Sequence, residues 1–457
     1  MCGIVGIFNQ NKKNNAAKQA SKSMFAVQHR GQESCGIVVS DGITLKLHKG
    51  MGLVKEVFTP EVLEKMPGHI AIGHVRYPTR GSSTAYNSQP HIVETLAGPS
   101  YSLASNGDLM NYHEIRNDLE NKGVFFSTTN DGEVILKYIV YLIEKENYTI
   151  IDAIKNMMKV IKGAYSTVLA TKTDLYMFRD PYGFRPMSLG QTEDGTVVVA
   201  SESCGLDIVN ASFLSWVRPA EIIVANKNGI SRIDNDPKQY RTTDNHKHCV
   251  FELIYFSRPD SYQFHEEVYM VREKIGQKLA ELDEDFHPDI VVPVPDSSNF
   301  IAFGYSKHKN IPTTFGLIRN HYVGRTFIKP EQSIRDESVR QKFNVLPNIF
   351  KNKIVALIDD SIVRGTTIKQ LIYMLYKNGA KEVHLRIGSP PVISSCYYGI
   401  DTPKKEELIA NNMSLEEIVK DFNLTSLKHI NLEGLLQCVQ KPKNYCHACF
   451  SGKYFMK

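Results

Sequence analysis

The stretch IVALIDDSIVRGTT, from Ile354 to Thr367, constrains the fold of this chain more than any other. Five apolar residues, Ile354 to Ile358, have the length and branching of a fully buried strand, and they run straight into Asp359 and Asp360. Ser361, Arg364, Gly365, Thr366 and Thr367 follow, and then IKQLIYMLYKNGA, whose apolar spacing is helical and whose end is marked by Gly379. Strand, small-residue loop and helix form an anion cradle: Gly365 permits unusual backbone angles, and hydroxyls and free N–H groups at the helix start bind phosphate. A phosphate alone does not call for two carboxylates. A phosphorylated sugar does, because they accept hydrogen bonds from ribose hydroxyls and help to hold Mg²⁺.

A bare acidic pair after a strand is most often an ordinary turn. The whole string is far more specific, and it resembles the phosphoribosylpyrophosphate (PRPP) loop of type I phosphoribosyltransferases. At 457 residues the chain is too long for one ordinary core, so two domains of roughly 200 residues each are expected. A net charge of +5 without long basic blocks favours neither nucleic acid nor a membrane surface as partner, and assigns the basic residues to small anionic substrates. No apolar run approaches the roughly 20 residues of a membrane span, and the start MCGIVGIFNQ lacks the features of a secretory signal, so a cytoplasmic protein is expected.

Cys2 follows the initiator Met1 directly. Removal of Met1 would leave a thiol and a weak base, the α-amine, on one residue, which is the arrangement of an N-terminal nucleophile. An isolated Met-Cys is more often only the start of a strand, here GIVGIF. Four polar segments shift the weighting: HRGQES after a helix over Ala16 to Val27, GHVRYPT after a strand over His69 to Ile72, SNGD after a strand over Tyr101 to Ala104, and TNDGE before a helix over Val134 to Glu144. Together they supply what hydrolysis of glutamine needs. Arg76 can fork to its α-carboxylate, Asp131 can take its α-ammonium, Asn106 and the Gly107 N–H can hold the oxyanion, and Cys2 can attack the amide carbon.

These strings, in this order, resemble the glutaminase domain of class II (N-terminal-nucleophile) amidotransferases. The resemblance covers about residues 2 to 235, implies a four-layer αββα sandwich, and adds Arg30 and Gly31 to the glutamine-binding residues. Gly132 departs from it, standing where a hydroxyl or small polar residue is expected. The turn RDPYGFRP, 179 to 186, reads as structural with a part in a domain interface. Asn226 to Lys247 is rich in Asn, Asp and Lys, which puts a boundary near 240 and divides the chain into 2–240 and 241–457.

In the second half, DIVVPVPDSS is another buried strand entering a polar turn, expected to face the acidic loop across one crevice. Ser298 there reads equally well as a metal or pyrophosphate ligand and as a helix N-cap. Ile318 to Lys342 reads as a lid that closes on substrate, with Arg325 and Arg340 meeting phosphates. Cys446 and Cys449 form a CxxC pair, and with Cys249 and Cys396 they make a four-thiolate set that suits either Zn²⁺ or an iron–sulfur cluster. Cys35, Cys204 and Cys438 read as packed thiols.

With both halves in view, FELIYFSRPDS, VPDSS, YVGRTFI, the acidic loop, SPPVISSCYYGID and YCHACFSG resemble the glutamine-dependent amidophosphoribosyltransferase family in its iron–sulfur branch. That resemblance implies an α/β type I phosphoribosyltransferase domain after the sandwich. It also implies glutamine hydrolysis at Cys2 and transfer of ammonia to PRPP, the first committed step of de novo purine synthesis. Mg²⁺ at Asp359, Asp360 and Ser298, a structural [4Fe–4S] cluster on Cys249, Cys396, Cys446 and Cys449, purine nucleotide feedback inhibitors and a homotetramer come with it. Other class II amidotransferases share the first half only, and a PRPP-sensing regulator would lack it.

Overall fold

The computed structural model describes residues 1–11, 16–77, 83–235, 246–321 and 341–456. Arg325, Arg340 and the expected boundary near 240 lie outside the described residues.

The first half is built on the wholly buried strand Gly3–Phe8. It is the middle strand of a seven-stranded sheet, paired antiparallel with Val197–Ala200 on one side and Ile70–Arg76 on the other. A strand covered on both faces needs an apolar run, and alternation decides which residue serves which face. Val5 and Ile7 pack with helix Ala16–Ala26, whereas Ile4 and Phe8 pack toward a second sheet. That sheet has six antiparallel strands, with Gly98–Leu109 and Gly163–Ala170 adjacent. Its outer face is covered by helices Tyr112–Asn121, Asp131–Glu146 and Ile150–Val160. The result is the expected αββα sandwich.

The second half holds a parallel sheet in the order Ile290–Pro293, Ile354–Asp359, Glu382–Ile387 and Ser426–His429. Ala356 and Ile358 pack with helices Val268–Glu281 and Asn299–Lys309, while Val355 and Leu357 pack with Thr366–Lys377 and Leu415–Asp421. Helices on both faces of a parallel sheet give the expected α/β domain. A short parallel pair, His248–Cys249 with Tyr445–Cys446, ties the beginning of this half to the C-terminal segment.

Three local expectations change. Strand Ile70–Arg76 runs four residues past Ile72, because it keeps its partners on both sides, so Arg76 closes a strand rather than sitting in a turn. Asn106 and Gly107 likewise lie within strand Gly98–Leu109, whose pairing with Gly163–Ala170 carries on through Leu109. Helix Asp131–Glu146 starts three residues before Val134, capped by the Asn130 side chain, which accepts the Gly132 N–H.

Candidate functional site

Cys2 enters its strand beside Asn106. The Cys2 N–H donates to Asn106 Oδ1 at 3.1 Å, and the Cys2 thiol donates to the Tyr77 carbonyl at 3.4 Å. With Oδ1 taken, the Asn106 amide presents Nδ2, a buried donor with no partner among the described residues. An unpaired buried donor beside a nucleophile is what an oxyanion hole requires. Ser105, the residue before it, is braced from two sides: Gln89 exchanges two hydrogen bonds with its backbone, and His74 Nε2 donates to its carbonyl. Burial holds His74 near pKa 3, so it is a neutral donor. Gly107 leaves no room for a side chain, since a Cβ would stand 1.7 Å from the Ala164 carbonyl oxygen.

Burial pushes the Cys2 thiol up, with Arg76 drawing it down and Asp131 adding to the rise. The Arg76 Nη1 donates to Glu33 at 3.0 Å, a buried pair that aims the guanidinium. Asp131 is the first residue of its helix, where a carboxylate is favoured. Gly132 is explained by its neighbour: a Cβ there would come 2.7 Å from Gln89 Oε1, the group that supports Ser105. His74 stands in the string GHVRYPT with no role assigned to it, and Gln89 lies outside the strings.

Arg30 is placed differently from the expectation. Arg30 is fully buried, and its Nε donates to the Cys2 carbonyl at 3.0 Å while its Nη atoms bond Glu202 and Glu252. It therefore holds the nucleophile's main chain rather than opening toward substrate. Gly31 packs on the end of strand Ile70–Arg76, where a Cβ would meet the Val75 carbonyl oxygen and the Arg76 carbonyl carbon at 2.5 Å.

At the other site the two strand ends meet as expected. Strands Ile290–Pro293 and Ile354–Asp359 are neighbours, and the loops beyond them touch: Ser298 Oγ donates to Asp359 at 3.1 Å, and Ser297 Oγ to Asp360 at 2.6 Å. Ser361 also donates to Asp360, at 2.5 Å. Burial, and for Asp359 the charge of its neighbour, raises both carboxyls above the ordinary range. Two crowded acids of this kind favour a cation between them. Two carboxylates and a hydroxyl fit Mg²⁺, which takes few protein ligands and completes its shell with water and substrate oxygens. Gly365 has φ of +78° and turns the chain into helix Thr366–Lys377, so Thr366 and Thr367 lie in its first turn. Arg364 pairs with Glu407 at 2.9 Å on the surface of the same loop.

The four cysteines come together from three segments. Cys249 stands opposite Cys446 in the short parallel pair, and the Ile393 and Ser394 N–H groups donate to the Cys449 carbonyl, which brings up the turn bearing Cys396. The Tyr398 N–H donates to Cys396 Sγ at 3.3 Å. All four are free thiols, and burial, with the charge of neighbouring cysteines, pushes up Cys249, Cys446 and Cys449. Among the described residues no three His, Cys, Asp or Glu side chains converge closely enough to hold a single metal ion. A set of soft thiols with an amide donor on one sulfur fits an iron–sulfur cluster. Cys35, Cys204 and Cys438 are buried among apolar side chains, as expected.

The two halves meet at the first site. The turn 179–186 does form an interface: Phe184 stacks on Tyr398 with ring centroids 4.2 Å apart, and Arg185 Nε donates to the Tyr398 carbonyl at 2.8 Å. Met1 is buried here too, its sulfur beside Arg30 and Arg185. No helix among the described residues is long and apolar enough to cross a membrane.

A model of the glutamine amidotransferase domain matches residues 77–207. The amidophosphoribosyltransferase of Methanocaldococcus jannaschii is 42% identical over 99% of this chain and 97% of its own length, and that of Bacillus subtilis is 40% identical over 99% and 94%. A solved structure of the glutamine PRPP amidotransferase from B. subtilis, complexed with ADP and GMP, superposes with a TM-score of 0.90 at 40% identity, covering 100% of this chain and 98% of that one.

Proposed function

The chain belongs to the amidophosphoribosyltransferase family, and from that premise we infer how its residues divide the reaction between a glutaminase half, 2–240, and a phosphoribosyltransferase half, 241–457. The protein hydrolyses glutamine and transfers the ammonia to PRPP, giving 5-phosphoribosylamine, glutamate and pyrophosphate, the first step of purine synthesis. The observation that carries the residue assignment is the Cys2 N–H on Asn106 Oδ1, which leaves Asn106 Nδ2 at the nucleophile as a donor with no partner among the described residues.

In this reading Met1 is removed and the Cys2 α-amine takes the proton of a thiol that burial keeps protonated at rest. The sulfur attacks the amide carbon, and Asn106 Nδ2 with the Gly107 N–H holds the oxyanion. Collapse expels ammonia and leaves a γ-glutamyl thioester, which water cleaves to glutamate and the free thiol. Arg76 and Asp131 fix the α-carboxylate and α-ammonium of the substrate. Arg30 and Gly31 act indirectly, one on the Cys2 carbonyl and one on the strand that bears Arg76.

Ammonia then attacks the anomeric carbon of PRPP with inversion. Asp359 and Asp360 hold the ribose hydroxyls, and Ser361, Arg364, Gly365, Thr366 and Thr367 cradle the 5-phosphate with hydroxyls and loop N–H groups. Arg325 and Arg340 stay assigned to phosphates by the reading of 318–342 as a lid. Mg²⁺, held by Asp359, Asp360 and Ser298, would neutralise charge developing on the leaving pyrophosphate. Ammonia free in water near neutral pH becomes ammonium, so a shielded passage between the sites belongs to this reading.

The four-cysteine set is assigned a [4Fe–4S] cluster with a structural role, since neither half-reaction moves electrons. Cys249 opposite Cys446, with all four thiols within range of one another's charge, supports one group shared by the set. Purine nucleotides are assigned as feedback inhibitors, supported by the ADP and GMP on the B. subtilis relative. A homotetramer, by resemblance, and a cytoplasmic location complete the reading.

The test is coupled turnover on anaerobically purified protein. Glutamate and pyrophosphate release should be equal and dependent on PRPP and Mg²⁺, and Cys2→Ala should be active on ammonium salt alone. Glutamate without pyrophosphate under every condition would overturn the assignment of PRPP.

A further inference from the structure

We propose that Glu252, contributed by the second half of the chain, is a positioning residue for the Cys2 nucleophile of the first. Its carboxylate is fully buried, and each oxygen is spoken for. Oε1 accepts from Arg30 Nη2 at 2.8 Å and Arg185 Nη1 at 3.3 Å, and Oε2 accepts from Arg30 Nη1 at 2.9 Å and Ser257 Oγ at 3.1 Å. The contact with Arg30 is a two-pronged fork, the geometry that fixes a guanidinium in its plane. What the fork fixes is the third face of Arg30, where Nε donates to the Cys2 carbonyl at 3.0 Å. The reach is Cys2 carbonyl, Arg30, Glu252, and every member is buried.

The arrangement is balanced and anchored. Arg30 and Arg185 face Glu202 and Glu252, and Glu202 also takes His29, the Arg258 N–H and Ser261 Oγ, so the second half supplies partners to both carboxylates or is one of them. Unpaired charges would be costly here, which ties the orientation of Arg30 to the presence of Glu252. Glu252 opens a π-helical turn, Glu252–Phe256, an irregularity frequently found at functional sites. Arg272 clamps that turn, its Nε on the Leu253 carbonyl at 2.9 Å and its Nη2 on the Ser257 carbonyl at 2.7 Å. A nucleophile whose main chain is held in part by the other domain loses alignment, and not affinity for glutamine, when that hold is altered.

This inference rests on the two-site reading above, and the experiment separates the two. Glu252→Gln keeps the volume and one acceptor but removes the charge that squares the fork. Glutamine-dependent kcat should fall by at least about tenfold, as a misplaced reacting group predicts, with KM for glutamine unchanged. Alkylation of Cys2 by a γ-electrophilic glutamine analogue should slow by the same factor, while pyrophosphate release driven by ammonium salt stays at the wild-type rate. Equal loss of the glutamine and ammonium reactions would make Glu252 a structural residue only, and an unchanged kcat would remove it from the site; either overturns the proposal. Should Glu252→Gln not fold, Ser257→Ala decides, because it deletes one neutral donor to Glu252: a fall of about twofold or more confined to glutamine kcat supports the proposal, and no fall overturns it. A wild-type protein that releases no pyrophosphate with either nitrogen source would instead count against the two-site reading.

Discussion

Gly399, at φ +92°, lies against the backbone of Gly107: a Cβ on Gly399 would stand 2.8 Å from the Gly107 carbonyl carbon and 2.9 Å from its Cα. Gly107 follows Asn106 in the strand that faces Cys2, and Gly399 belongs to the turn bearing Cys396, so the second half of the chain forms a wall of the first site. Both conditions that require glycine hold at once, a left-handed backbone and no space for a methyl.

Gly399→Ala should therefore damage the glutaminase site selectively. The backbone strain costs about 1–2 kcal/mol and the overlap a further 1–3 kcal/mol. The neighbour is main chain, so strand Gly98–Leu109 must shift and take Asn106 with it. Glutamine-dependent turnover should fall at least about tenfold, with ammonium-dependent turnover retained and Tm lowered by a few degrees. An alanine variant with wild-type glutamine kinetics would show that the two glycines do not share the load.

Asn106→Ala should lower glutamine-dependent kcat by about 10²–10³, the loss typical of one oxyanion donor. The variant also removes the acceptor of the Cys2 N–H. Asn106→Asp separates these roles: it keeps an acceptor for the N–H but opposes the oxyanion with negative charge, and should be no more active than alanine. Retained activity in the aspartate variant would mean that the amide acts on the Cys2 N–H alone.

How far the strings could be read depended on whether the chemistry was local. Cys2, and Asp359 with Asp360, announce themselves because the residues needed for the chemistry are consecutive or abut a buried strand. Ser298 could be read as ligand or cap, and only the pairing of Ile290–Pro293 with Ile354–Asp359 put its hydroxyl on Asp359. Asn106 and Gly107 were legible as chemistry and misread as structure: Asn-Gly-Asp is turn punctuation, and the pairing that overrides it comes from strand Gly163–Ala170, which lies more than fifty residues on. The strings name Arg30 and the turn bearing Arg185, but nothing in them joins Arg30, Arg185, Glu202 and Glu252 into one cluster. Its members are up to 222 residues apart, and a lone Glu or Arg ordinarily marks a solvated face.

His91 should make the start of helix Asp131–Glu146 acid-labile. It is buried, its pKa is lowered to about 4 mainly by burial, and its Nε2 donates to Asn130 Oδ1, the cap of that helix. In the unfolded chain the same ring titrates near 6.5. Between those values the unfolded state binds a proton that the folded state does not, so stability falls as pH drops from 6.5 toward 4. At pH 5 the loss from this one group approaches about 2 kcal/mol. His91→Gln keeps a donor for Asn130 without the titration. The difference in Tm between pH 7.5 and pH 5 should shrink in the variant, and an undiminished difference would mean that other groups set the acid limit.

The acidic pair should cost the resting protein stability that its ligand repays. Burial raises both carboxyls, so at pH 7 the folded state holds them less comfortably than the unfolded chain does. Asp360→Asn removes one charge and retains an acceptor for Ser297 and Ser361. In EDTA the variant should melt higher than wild type, by about 1 kcal/mol of added stability, while releasing no pyrophosphate from PRPP. A lower melting point would show that hydrogen bonds from the two serines outweigh the crowding.

The four-cysteine set predicts what removal of its ligand would do. Cys249 and Cys446 share the short parallel pair that ties residues near 248 to residues near 446, and the turn bearing Cys396 reaches Gly107 through Gly399. A group bound by all four therefore staples three segments that otherwise meet through a two-residue ladder, the Ile393 and Ser394 N–H groups on the Cys449 carbonyl, and side chains. Protein purified without oxygen should contain iron and sulfide and show charge-transfer absorption in the visible range. Stripping the metal should lower Tm, since a ligand bound only to the folded state stabilises it by mass action. Cys446→Ser should lose the absorption and melt earlier than wild type. Zinc in place of iron, with the same gain in Tm on binding, would keep the staple and replace the cluster.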